Sequence, residues 1–147
     1  MKETYYLNQE QALPRMPVPG DNIISSVTLE DQFITFVLET DIHDKDDSIQ
    51  WYKPGAKRLI IRYHLAGKDG FVDLYKMKHS PRHLSWLIPP RFISLDGKRL
   101  AEFTNGKHTL VYIRHYVDFN SIIIMLYSDT RIQLVAEVDY IEYEWFF

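Results

Sequence analysis

Six histidines, 20 aspartates and glutamates and no cysteine define the chemistry open to this 147-residue chain. Without cysteine there is no disulfide, no thiolate nucleophile and no cysteine-held zinc or iron–sulfur site. His79 and His83 have the four-residue spacing that would place two imidazoles on one helix face for a metal, but Pro81 between them breaks that helix. His115 sits among Val111, Ile113 and Val117 and reads as a hydrogen-bonded core or edge residue. Asp44 and Asp46 resemble the start of a calcium loop. However, Ile49 stands where the sharp turn needs glycine and Gly55 where the bidentate glutamate belongs, so an EF-hand is excluded. No nucleophile elbow, phosphate-cradling glycine loop or dinucleotide fingerprint is present. Neither metal nor cofactor is expected, and catalysis has no support from any motif.

Charge is the stronger signal. The formal net charge is only -3, yet residues 53–115 carry 13 lysines and arginines against 4 carboxylates while the rest carry 4 against 16. The middle is thus basic (+9) and the ends acidic (-12). Two readings follow: the opposite charges neutralise each other across paired strands, or they form separate faces that attract separate partners. On the second reading the acidic partner-binding surface is Asp41, Asp44, Asp46 and Asp47 with Trp51 and Tyr52 beside them, joined by Glu142 and Glu144 of the last strand. Exposed aromatics next to acids are typical of protein interfaces. A different face is offered by Arg62, His64, Tyr112, Arg114 and Tyr116, where aromatics interleave with cations as they do in sheets that stack single-stranded nucleic acid. Turned inward, the same residues could anchor the polar head of a small ligand in a calycin-like barrel.

These side chains need strands to position them. Apolar residues alternate with period two between turn signals: Leu59, Ile61, Tyr63 and Leu65 share one face, with Arg58, Ile60, Arg62 and His64 on the other. Gly67-Lys68-Asp69-Gly70 predicts a turn into an antiparallel strand from Phe71 to Met77, and Glu30-Asp31 joins strands Asn22 to Leu29 and Gln32 to Glu39. Asp96-Gly97 precedes a predicted strand from Lys98 to Thr104, and Asn105-Gly106 is the strongest hairpin signal, leading into Lys107 to Val117. Ser121 to Tyr127 follows, and its Ile122-Ile123-Ile124-Met125-Leu126 run suggests a central strand covered on both faces. In the closing strand the apolar parity switches from Ile132, Leu134, Ala136 and Val138 to Ile141, Tyr143 and Trp145, which predicts a bulge near Tyr140. Thr40 to Gly55 reads as a polar loop. Prolines 81, 89 and 90 confine any strand near Leu84 to Ile88 to an edge, and Thr4 to Leu13 is a short helix or a loose arm.

The expectation is therefore one all-β domain over residues 1–147, with residues 1–20 as an N-terminal arm. Its form is an antiparallel β-sandwich or up-and-down β-barrel of about nine or ten strands with little helix. No leader-like stretch opens the sequence and no apolar run approaches the roughly 20 residues of a spanning helix, so a cytoplasmic location without a membrane partner is expected. The leading functional expectation is a non-catalytic protein that binds a basic protein partner, for instance an immunity protein or other inhibitor neutralising a basic toxin or nuclease. A small-ligand barrel and a nucleic-acid-binding sheet are the alternatives.

Overall fold

The computed structural model describes residues 1–9, 15–67, 72–104 and 108–147. Its nine described strands, all paired antiparallel, are β1 (Lys2–Tyr6), β2 (Asn22–Glu30), β3 (Phe33–Glu39), β4 (Arg58–Leu65), β5 (Val72–Lys78), β6 (Arg91–Leu95), β7 (Val111–Asp118), β8 (Ser121–Tyr127) and β9 (Arg131–Phe146). Two three-strand meanders, β2-β3-β4 and β7-β8-β9, meet twice. Asn22 and Ile23 of β2 pair with Tyr112 and Val111 of β7, and β4 pairs with the C-terminal half of β9. The pairings close a ring of six strands. It is a barrel built from two meanders, and the strands at both junctions are distant in sequence.

Strand β9 makes closure possible because its 16 residues serve two neighbourhoods. Arg131 to Glu137 pair with β8 and, on the other edge, with β5; Val138 to Phe146 pair with β4 and β1. Between the halves, Asp139 is skipped in the pairing with β4, where His64 faces Tyr140 and Leu65 faces Val138. The predicted bulge is thus present. It moves the inward set from Ile132, Leu134, Ala136 and Val138 to Ile141, Tyr143 and Trp145, all buried. A second irregularity lies in β7 between Tyr112 and Arg114, so that Tyr112 and His115 both point into the core although they are three positions apart.

The interior is filled by side chains. Phe36, Tyr63, Tyr112, Tyr143 and Trp145 are its largest members, surrounded by Ile34, Leu38, Leu59, Ile61, Ile124 and Leu134. Ring contacts are mostly edge to face: Phe36 meets Tyr63 at 5.9 Å and Tyr112 at 5.5 Å, and Tyr5 of β1 meets Tyr143 at 5.4 Å.

Several expectations are corrected. Residues 2–6 form a strand on β9, neither helix nor loose arm, and Leu7 and Met16 are buried. The β2–β3 turn centres on Asp31 and Gln32, both with positive φ, one residue later than predicted. Strand β5 does not return along β4; both run antiparallel to β9, one after the other. Lys68 to Gly70, where that turn was placed, lie outside the described residues, as do Asn105 and Gly106. The segment before Asn105 is a 3-10 helix, Gly97–Thr104, in place of the predicted strand from Lys98 to Thr104. Asp96 caps it by accepting from Lys98 N at 3.0 Å, and Arg99 pairs with Glu102 at 3.1 Å one turn on. Only Leu100 and Phe103 supply its apolar side, at helical spacing. The outer face of β8 is not covered: Ile123 is exposed while Ile122, Ile124 and Leu126 are buried. No strand forms at Leu84 to Ile88, where Arg82–Leu84 is a short 3-10 helix; the edge strand β6 begins after the prolines, at Arg91.

Candidate interaction surfaces

Residues 40–53 form an organised loop. Asp47 caps the short helix α1 (Ser48–Tyr52) by accepting from Ile49 N at 2.9 Å; it also accepts from Asn22 Nδ2 at 3.0 Å and from Asp41 N at 2.8 Å. Asp41 accepts from His43 N and Asp44 from Asp46 N, each at 2.9 Å, which are Asx turns that spend carboxylates on shaping backbone. Ser48 ties α1 to the barrel by accepting from Gly20 N and donating to Asn22 Oδ1, each at 2.8 Å. Upon this frame Trp51 is 68% exposed, yet its indole Nε1 donates to Lys45 O at 2.7 Å, so the ring is held in place. Tyr52 and Ile42 are exposed too. From Glu39 to Asp47 there are five carboxylates and one lysine, and none of the five forms an ion pair among the described residues.

Glu142 and Glu144 do not extend this loop as bare acid. They lie on the outer wall of β9, where Glu142 faces Arg62 across the strands and Glu144 accepts from Arg62 Nη1 at 2.7 Å. The Arg62 guanidinium holds the Glu144 carboxyl below its ordinary range. The same wall pairs His64 Nδ1 with Asp139 at 2.7 Å, and near the end of the barrel Lys53 pairs with Glu3 at 2.8 Å. Neutralisation across strands therefore operates on the β4–β9 wall, while the 40–53 loop escapes it.

The second predicted face is divided. Arg114 and Tyr116 are exposed on β7, with the guanidinium 5.9 Å from the Tyr116 ring, but Tyr112 points inward and is corrected from that face by the β7 irregularity. Arg62 and His64 lie on β4, occupied by Glu144 and Asp139. Inside, Tyr112 enters a polar cluster that sequence reasoning missed. Its hydroxyl lies 2.5 Å from His115 Nδ1 and hydrogen-bonds the Tyr63 hydroxyl, which is 3.3 Å from the same nitrogen. These three groups carry three polar hydrogens but form a chain with two short links, and His115 Nε2 has no partner among the described residues. Burial pushes His115 from 6.5 down to about 4 and raises both tyrosines well above their ordinary value, so all three are neutral at pH 7. Large apolar and aromatic side chains surround the cluster, and it reads as a buried brace of the core.

Two further features complete the surface. An open depression of about 460 Å3 lies outside β8 and β9, lined by Gly67, Asp73, Ser121, Val135, Ala136 and Glu137. No cluster of three metal-ligating side chains occurs among the described residues, and no described helix is long and apolar enough to cross a membrane. No protein-family model matches this chain, and neither the curated proteins nor the solved structures contain a match to it.

Proposed function

We propose that the protein is a non-catalytic binding protein whose 40–53 loop docks a basic protein partner. The observation that carries this reading is Trp51: a large ring, mostly exposed yet pinned by its own hydrogen bond, standing in a loop whose carboxylates form no ion pair among the described residues. A fixed ring loses little rotamer entropy on binding, and aromatic anchors of this kind dominate interface energetics. Asp44 and Asp46 supply the attraction that brings a cationic surface to it, and Tyr52 and Ile42 widen the apolar centre. The sharpest form of the reading is a cytoplasmic inhibitor that covers a basic toxin or nuclease.

The test is capture of partners from native cell extract on immobilised protein, comparing wild type with Asp44→Lys/Asp46→Lys and with Trp51→Ala. A stoichiometric basic protein that is released by salt, lost with the charge reversal and weakened with Trp51→Ala is the expected result. Association of that protein at a rate indifferent to ionic strength, or capture unchanged by both variants, would sink the reading.

A further inference from the structure

At the other end of β9 from the acidic loop, β5 and β6 form an edge hairpin whose connection, residues 79–90, stands away from the barrel. Trp86 is 80%, Leu87 62% and Ile88 42% exposed, with Phe92 exposed beside them at the start of β6. Three consecutive apolar side chains facing water are costly unless something covers them. The connection is built to present them: Leu87 N and Ile88 N both donate to Leu84 O at 2.9 Å, Ser80 Oγ bonds Ile88 O, and Trp86 Nε1 donates to His83 O at 3.2 Å.

The charge carried by this hairpin itself is of one sign. Residues 74–95 contain Lys76, Lys78, Arg82 and Arg91 and no carboxylate. Lys76 reaches Asp129 at 3.4 Å, but Lys78, Arg82 and Arg91 form no ion pair among the described residues. Moreover, Lys78 and Arg91 sit directly opposite each other in the β5–β6 register, at the base of the connection. Like charges opposed across a ladder repel, and an anionic partner would relieve them.

We infer that this connection docks on an anionic lipid surface, with Trp86, Leu87 and Ile88 entering the headgroup region while Lys78, Arg82 and Arg91 contact the charged headgroups. Lipid fits the observations better than the other possible occupants. A second copy would bring two rings of cations together, and a nucleic acid would leave Leu87 and Ile88 without a base to stack on. Membrane insertion also requires backbone groups satisfied within the segment, and the bonds above satisfy several of them. Trp and aliphatic residues favour the interface, and cations beside them add attraction to acidic leaflets. The expectation from sequence of no membrane partner considered spanning segments, and a docking tip does not span.

Co-sedimentation with vesicles of phosphatidylcholine alone, and with a large fraction of phosphatidylserine added, tests the inference on the whole chain. Binding should require phosphatidylserine and weaken with salt. Each basic residue at such a surface strengthens partitioning about fivefold, so Arg82→Gln/Arg91→Gln should weaken it on the order of twenty-fold. Acyl-chain-brominated lipid should quench tryptophan fluorescence in wild type and much less in Trp86→Phe, because Trp145 is buried and Trp51 lies at the other end. Absence of binding to anionic vesicles, equal binding to phosphatidylcholine alone, or quenching unchanged in Trp86→Phe would overturn the inference. So would self-association that Trp86→Phe abolishes, or tighter retention on single-stranded DNA than on vesicles.

Discussion

Lowering the pH from 7 to 4 should remove about 3 kcal/mol of stability through His115 alone. The ring is almost wholly buried, its Nδ1 meets two tyrosine hydroxyls and its Nε2 meets no partner among the described residues, none of which offers a carboxylate to compensate a proton placed on it. Burial depresses its folded pKa from 6.5 to about 4. Between those values the unfolded chain binds a proton that the folded one refuses, so stability falls with pH over that window. The contribution is fully present above about 6.5 and, at 1.36 kcal/mol per unit, about 3 kcal/mol has gone by pH 4. Urea unfolding of wild type and His115→Phe at pH 7 and pH 4 isolates it, because the carboxylates titrate in both proteins and cancel in the difference. His115→Phe is expected to be the less stable protein at pH 7 or nearly equal, and to lose about 3 kcal/mol less than wild type on acidification. An acid-induced loss equal in the two proteins would refute the assignment of His115 as a buried neutral base.

Other perturbations probe the frame around the two surfaces. Asp47→Ala removes a helix cap together with its bonds to Asn22 and Asp41, and should cost about 1–2 kcal/mol in urea unfolding while also weakening partner capture by freeing Trp51. Arg62→Ala, breaking a half-buried pair, should cost no more than about 1 kcal/mol and should raise the Glu144 carboxyl toward its ordinary range, as carboxylate-resolved NMR titration would register. A Cβ at Gly97 would meet Val72 O at 2.8 Å and Val72 Cβ at 3.2 Å, so Gly97→Ala should lower the melting temperature by forcing β5 and the 3-10 helix apart, at a cost of about 1–3 kcal/mol. In alkali, Tyr63, Tyr112 and Tyr143 should stay un-ionised beyond pH 10 and release their protons together on unfolding, visible as a cooperative rise in tyrosinate absorbance; because their folded values are raised, stability is present below pH 10 and lost above it.

Strand character came from local alternation, a property each segment carries by itself. Leu59 to Leu65 and the parity switch after Val138 were therefore legible, since a pleated strand must send successive side chains to opposite sides and one extra residue must swap them. The acidic loop was legible as composition. Local pattern could not give partners in space. That β9 would close the ring against β4, that β5 would follow β4 along β9, and that Glu144 would be neutralised by Arg62 are long-range pairings decided by how the faces bury together. Tyr112 illustrates the limit most clearly: its alternation with Arg114 and Tyr116 put all three on one face, and an irregularity invisible in the residue types turned it inward to meet Tyr63 and His115. Trp86-Leu87-Ile88 is the converse case. The sequence confined its residues to an edge without saying what they would face, and only the fold, by hanging β5 and β6 on the edge of β9 beyond the barrel's interior, left them facing solvent among cations that form no ion pair among the described residues.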